Sequence, residues 1–231
     1  MFSFHLAHLP VTTAVRALVR PPTTARVPGL RHVEVMAGME LGAPVVSPRR
    51  LQLRRVAVFA RWEDEAALEA FLDGDPLGRR LAQGWHVRLA FLRRWGSLAA
   101  LADLPQEPGR SHPDEPVVAV TIARMRLPEL LRFIHWGRPV ERLVRDHPAT
   151  TLALAAIRPP RTVSTFSVWR TAREMTDMVH GRSAVAQPHR HVAAMAERER
   201  RDFHHEFTTL RFRPLSEHGS WDGQDRRIPA Q

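Results

Sequence analysis

The feature that most restricts this chain is repetition. Phe59-Ala-Arg-Trp62 and Phe166-Ser-Val-Trp169 share their outer residues at one interval of 107 residues. Each stands just ahead of a helix-start signal. After the first come Glu63, Asp64 and Glu65, carboxylates suited to the positive end of a helix dipole. After the second comes Thr171-Ala-Arg-Glu174, a capping box in which the Thr hydroxyl takes an orphan N–H and the Glu reaches back. Between the copies lies Asp103-Leu-Pro-Gln-Glu-Pro-Gly-Arg-Ser-His-Pro-Asp-Glu-Pro116, whose prolines and charges suit neither a helix nor a central strand. The chain therefore divides into a first half (1–102), a linker (103–116), a second half (117–213) and a polar C-terminal arm (214–231) expected to wrap the body or stay loose.

Within the second half, Val117–Ala123 is β-branched and reads as a strand. Leu127 to Arg145 carries apolar residues near helical spacing. Strands follow at Thr150–Ile157 and Thr162–Trp169. A helix then opens at Thr171 and ends near Gly181, a longer one covers Pro188 to His204, and a last strand covers Glu206–Arg213. The first half repeats this order more loosely. Phe2–Leu9 is a strand, Thr12–Val19 a helix, and Leu30–Met36 and Val56–Trp62 strands. A helix opens at Glu63, and Trp85–Leu92 is the final strand. Each half reads β-α-β-β-α-β, the ferredoxin-like plan. Such a sheet leaves one apolar face bare, and a bare apolar face must be buried. The expected fold class is α+β, with two fused ferredoxin-like halves forming an α+β barrel. A ligand cavity is expected between the sheets or beneath the helices.

Composition removes several chemistries. Across 231 residues there is no cysteine and no lysine. Disulfides, thiolate nucleophiles, thiolate-ligated haem, cysteine-bound iron–sulfur clusters and Schiff bases are thereby excluded. The formal charge is +10, carried entirely by arginine. Its pairs, such as Arg49-Arg50, Arg54-Arg55 and Arg226-Arg227, are scattered and accompany no nucleic-acid-binding signature, so no nucleic-acid partner is expected. No run of about 18 apolar residues is present. The first ten residues read as a strand rather than a signal peptide, and the cytoplasm is the expected compartment.

Further stretches join the repeat in order: Phe133-Ile-His-Trp136, Thr165-Phe-Ser-Val-Trp169, His191-Val-Ala-Ala194, Phe203-His-His-Glu206-Phe-Thr-Thr-Leu-Arg211-Phe212 and Gly219-Ser-Trp221-Asp-Gly223. With Phe59–Trp62 and the acidic segment after it, this ordered set resembles the spheroidene monooxygenase family from about residue 30 to 225. That family shows a Thr-Phe-Ser-x-Trp strand, a histidine beginning a helix, and an aromatic residue twelve positions later, as His191 and Phe203 stand here. The chain departs from the family at two turns. Met36-Ala-Gly-Met39 and Ala155-Ala-Ile-Arg158 replace glycine-rich sequences, and Met178-Val-His180 replaces an aromatic segment.

The resemblance implies a dimeric α/β-barrel fold, haem iron, and monooxygenation of an apolar small molecule, a carotenoid in the founding members. It makes His191 the first choice for the axial ligand of the iron, and His180, beside Gly181 at a helix end, the second. Trp169 and its counterpart Trp62 are expected to line the cofactor pocket or to pack the core with their N–H bonded. Arg211, with Arg213 on the same strand face, suits the haem propionates or a partner such as Glu206, and Arg124 and Arg126 are open to the same uses. Glu206 is a candidate acid–base group or an ion-pair member. His204-His205-Glu206 is set aside as a metal cluster, because consecutive side chains diverge. No catalytic residue and no electron donor is assigned. Peripheral membrane contact would suit an apolar substrate, and the fused halves permit a monomer or a homodimer. Two further readings stand beside this one. One is a cofactor-free oxygenase or ligand-binding barrel, since fold does not fix function. The other is a non-enzymatic module that binds an acidic partner through its basic surface.

Overall fold

Alternation of apolar residues along the strands decides the architecture, because every second side chain points to the same face. The computed structural model describes residues 1–43, 47, 51–107, 109 and 111–230. Positions 108 and 110 of the linker and the Arg49-Arg50 pair lie outside the described residues. The strands are β1 (Phe2–His8), β2 (Leu30–Met39), β3 (Gln52–Trp62), β4 (Trp85–Ser97), β5 (Val117–Met125), β6 (Thr150–Arg158), β7 (Thr162–Trp169) and β8 (His204–His218). The helices are α1 (Val11–Val19), α2 (Glu65–Gly74), α3 (Pro76–Ala82), α4 (Leu130–Arg145), α5 (Ala172–Val179) and α6 (Arg190–Arg200).

The strands close into one antiparallel barrel in the order β1-β3-β2-β6-β7-β5-β8-β4. The first half contributes β4-β1-β3-β2 and the second β8-β5-β7-β6, the same order twice, as the α+β barrel reading expects. Two seams join them. At one, β4 and β8 pair along most of their length, from His86–His218 to Ser97–Phe207. This pairing draws both strands well beyond their expected ends at Leu92 and Arg213. At the other, β2 and β6 pair only where Ala37, Gly38 and Met39 face Ile157, Ala156 and Ala155.

The barrel interior is filled by the inward set from both halves. Phe4 stacks on Phe166 with ring centroids 3.8 Å apart, and Phe2 lies 5.7 Å from Phe59 and 5.1 Å from Phe212. Burying each such side chain contributes about 1.5–3 kcal/mol. The middle of the barrel is therefore core, and the expected open space between the sheets is absent there. One end is closed by Leu98, Leu101 and Leu104, so the linker packs as part of the core. The other end is closed by Trp85 and by Trp221 of the C-terminal arm. The arm thus begins as the last residues of β8 and then tucks in.

Near the linker end, the inward Glu34 is 1% exposed. Arg124 and Arg158, both from the second half, converge on its carboxylate, and His32 Nε2 stands 3.2 Å away. Arg124 also donates to Thr162 Oγ1 at 2.6 Å. Burial opposes ionisation of Glu34, but the hydrogen bonds from His32 and Arg124 outweigh it and hold the carboxyl below its ordinary value.

Helix boundaries follow local caps. Asp64 Oδ1 accepts from Ala67 N at 2.8 Å. Asp75 Oδ1 accepts from Leu77 N at 2.7 Å and starts α3, with Pro76 where its missing N–H costs nothing. That Asp-Pro signal splits the expected single helix after Glu65 in two. Thr171 Oγ1 takes Glu174 N at 3.1 Å, as a capping box requires, but the Glu174 carboxylate receives the Thr171 hydroxyl at 2.9 Å rather than the backbone N–H. The helix expected over Pro188–His204 is shorter, because Asp202 Oδ1 takes His204 N at 2.9 Å and turns the chain into β8. Among the described residues no helix is long and apolar enough to cross a membrane.

Phe166→Ala should cost about 3–5 kcal/mol, the usual loss for a buried aromatic, read from urea unfolding. A second expectation concerns pH. His5, His86 and His218 lie in register and stack, with centroids 5.1 and 4.8 Å apart. Burial, then the neighbouring His218 and Arg88, lowers His86 to about 4, and burial holds His5 well below its ordinary value. The unfolded chain therefore takes up these protons first. Stability should be intact above about pH 6.5 and fall as pH drops toward 4, by about 2–3 kcal/mol for His86. His86→Gln should flatten that part of the Tm–pH curve.

Candidate functional site

The two halves differ most on their outer sheet faces. In the first, Val35, Val56, Val58, Ala60 and Trp62 are sealed under Ala14, Ala17, Leu68, Phe71, Leu72 and Leu81. In the second, the middle outward positions are small or hydroxylated, while Val117 and Trp169 are sealed under Leu143, Ala172, Met175 and Met178. Ala119, Thr121, Ala153, Thr165 and Thr209 are only half-buried. The Thr121 and Thr209 hydroxyls bond to each other at 3.2 Å, an arrangement that needs no helix above it. The helices there pack chiefly on one another and on the sheet's flank: α4 against β6 and α6, and α5 against β7 and α6. On α4, only Leu143 is fully buried. A layer of small side chains beneath two helices braced against each other is where a flat apolar group can be held.

His191 sits in the first turn of α6. Its ring Nδ1 donates to the Val179 carbonyl, the last residue of α5, at 3.0 Å. Donation to a carbonyl fixes the tautomer, so Nε2 carries the lone pair. Burial lowers the imidazole's pKa, although the bond to Val179 works the other way, so the ring is neutral near pH 7. The approach of α6 to α5 depends on Gly181, at φ +71°, where a side chain would come within 2.5 Å of the His189 ring. Val179 in turn packs on a cluster holding Trp169, Met175 and Met178.

Arg211, on the outer face of β8, has no carboxylate partner among the described residues, and its Nε is buried without a hydrogen bond. The guanidinium lies 4.9 Å over the Trp95 ring, and burial, then Arg93, lowers its pKa. Such a group favours an incoming carboxylate.

The remaining candidates either have partners within the chain or face solvent. Trp169 is 1% exposed and donates to Ser167 Oγ at 2.9 Å, and Trp62 makes the matching bond to Ser3 Oγ at 2.9 Å. His180 is exposed, with its Nδ1 donating to Thr176 O at 2.8 Å at the end of α5. Arg124 is engaged by Glu34, and Arg126 and Arg213 are exposed. Glu206 accepts Ala99 N at 2.8 Å, which ties down the start of the linker. His204 is buried against Asp202 and His205 is exposed; among the described residues no three metal-binding side chains cluster. The Glu34 cluster went unread in the sequence. Its signal was a histidine and an acid two residues apart at inward positions of a strand, His32-Val-Glu34-Val-Met36.

The sequence matches no family model and none of the curated proteins. Several solved structures align along most of the chain. An anthrone oxidase-like protein is 13% identical with a TM-score of 0.35, covering 97% of this chain and 94% of its own. A monooxygenase-like protein from Listeria innocua is 11% identical with a TM-score of 0.30, covering 94% and 96%. A haem-degrading enzyme from Listeria monocytogenes is 11% identical with a TM-score of 0.29, covering 90% and 98%. At such distances an activity has to be read from this chain's own residues.

The His191 assignment is open to nitrogen NMR. The ring should be the Nδ1–H tautomer at pH 7, with a titration midpoint below about 6.5. An Nε2–H tautomer or an ordinary midpoint would contradict the geometry.

Proposed function

We propose that the chain is a haem-dependent oxygenase of an apolar small molecule. The observation that carries this is His191: a neutral imidazole whose Nδ1–H is held by a backbone carbonyl, leaving Nε2 as a donor to a metal. Ligating histidines are oriented in this way, because the second nitrogen's bond fixes the ring and raises its basicity. The sequence resemblance points to the same residue.

The residues present fit haem. His191 would hold the iron through its Nε2, as a single histidine can. Arg211 would take a propionate, which would satisfy a guanidinium that has no acid of its own. Ala119, Thr121, Ala153, Thr165 and Thr209 would leave room for the ring system over the sheet. When bound, the iron porphyrin would supply the activation of dioxygen, and the chain's part is to bind, orient and shield. An apolar substrate accords with the half-buried Phe133, Ile134 and Trp136 on α4.

The test is the visible spectrum of the protein purified from cells supplied with haem precursor, beside His191→Ala and Arg211→Ala. The wild type should show a Soret band, His191→Ala should shift or lose it, and Arg211→Ala should weaken haem affinity about tenfold or more. A band unaffected by His191→Ala would move the ligand elsewhere. Failure to take up haem on titration would leave a cofactor-free oxygenase or a binding barrel.

A further inference from the structure

The short seam opens a second site, lined from both faces of β6 and reaching Arg145 at the end of α4. Strand β2 pairs with β6 only at Ala37–Met39, so β6 from Ala153 back to Thr150 has no β2 partner. A cavity of about 230 Å³ lies at this gap. Its walls include Leu6, Ala57, Leu152, Leu154 and Trp221. These belong to the interior core or pack against it, whereas Met39, Leu41 and Ala155 on the other side of the lining form a separate outer cluster, so the cavity is a recess that runs from the barrel core out through the seam.

The polar side of the recess carries an uneven set of charges: Arg55, Arg145 and Arg227 against Glu40 and Asp222. Arg55 is held by Asp222 at 3.0 Å. Arg145 is held by Asp146 at 2.7 Å and donates to Leu41 O at 2.9 Å. Arg227 has no carboxylate partner among the described residues. Its Nη2 donates to the Trp221 carbonyl at 2.9 Å, and its Nε is buried without a partner. Leaving a buried donor of a charged group unsatisfied is costly, and a bound anion removes that cost.

Arg227 is also fixed before any ligand arrives. Glu217 accepts its backbone N–H at 2.6 Å and that of Ile228 at 3.0 Å, and is itself held by Trp85 Nε1 at 2.5 Å. Thr151 donates to the Arg227 carbonyl. Trp221 is clamped as well, stacked on His8 at 4.6 Å with Arg55 over its ring at 5.2 Å. A pocket whose walls and cation are already in place loses little ordering entropy on binding.

We infer that the recess at the β2–β6 seam binds a small carboxylate with an apolar body of about one ring, the ring against Leu152, Leu154 and Trp221 and the carboxylate on Arg227. The size follows from the volume, since a dry cavity of about 150 Å³ accommodates benzene. The charge follows from the arginine that lacks an acid. This inference does not depend on haem or on His191.

Benzoate is the probe, titrated calorimetrically at pH 7 against the full chain, with toluene as the uncharged ring. Wild type should bind benzoate saturably and more tightly than toluene. Arg227→Gln should weaken benzoate tenfold or more while leaving toluene unchanged, and Leu154→Trp, which fills the recess, should abolish both. His191→Ala should bind benzoate as wild type does. Thermal melts confirm that each variant is folded. No saturable binding to wild type, or binding that neither variant alters, overturns the proposal. Equal affinity for benzoate and toluene, or indifference to Arg227→Gln alone, overturns its anionic half.

Discussion

Burial of two sheet faces against each other is the interaction on which everything else here rests. Each half presents four strands with one apolar face, and Phe2, Phe4 and Phe59 on one side meet Phe166 and Phe212 on the other. Neither face is viable alone in water. Once they meet, the edge strands must be paired or covered, and two seams do this with unequal thoroughness. The long seam makes a continuous wall. The short one leaves a notch that the chain guards with arginines and with Trp221.

The same plan, used twice, has produced two different outer surfaces. In the first half, leucine and phenylalanine from α2 and α3 reach the sheet and dry it. In the second, threonine and alanine occupy the middle of the corresponding face, and the helices lean on each other and on Val117 and Trp169. Buried hydroxyls need partners, and Thr121 and Thr209 provide them for each other. The first half's outer face is sealed throughout, and the middle of the second's is released from such a seal. His191 and Arg211 both lie on that released side, one with a free nitrogen lone pair and the other with an unmatched charge.

Much of the fold was legible because strand periodicity and caps are local signals. The Phe-x-x-Trp repeat located equivalent strands, and Thr171 and Glu174 marked a helix start. Closure of the barrel was legible only as a necessity, from faces that could not stay bare. What escaped was long-range. The lengths of β4 and β8 depend on each other, across a separation that no window of sequence spans. The Glu34 cluster joins residues from three strands in two halves, so its members look like scattered charges until the barrel closes. Arg211 was visible as a candidate, but its lack of a carboxylate partner among the described residues is a property of the neighbourhood and not of the residue. The Val179 carbonyl that orients His191 has no side-chain signature at all.

Glu34 carries a consequence for how such a chain can change over generations. One carboxylate from the first half, itself out of water, is shared by two guanidinium groups contributed by the second. A substitution at Glu34 leaves both guanidinium groups without their carboxylate. The two copies, free to diverge on their outer surfaces, are therefore yoked at this point. A change accepted in one half constrains what the other can accept, and the duplicated segments are inherited as a single unit.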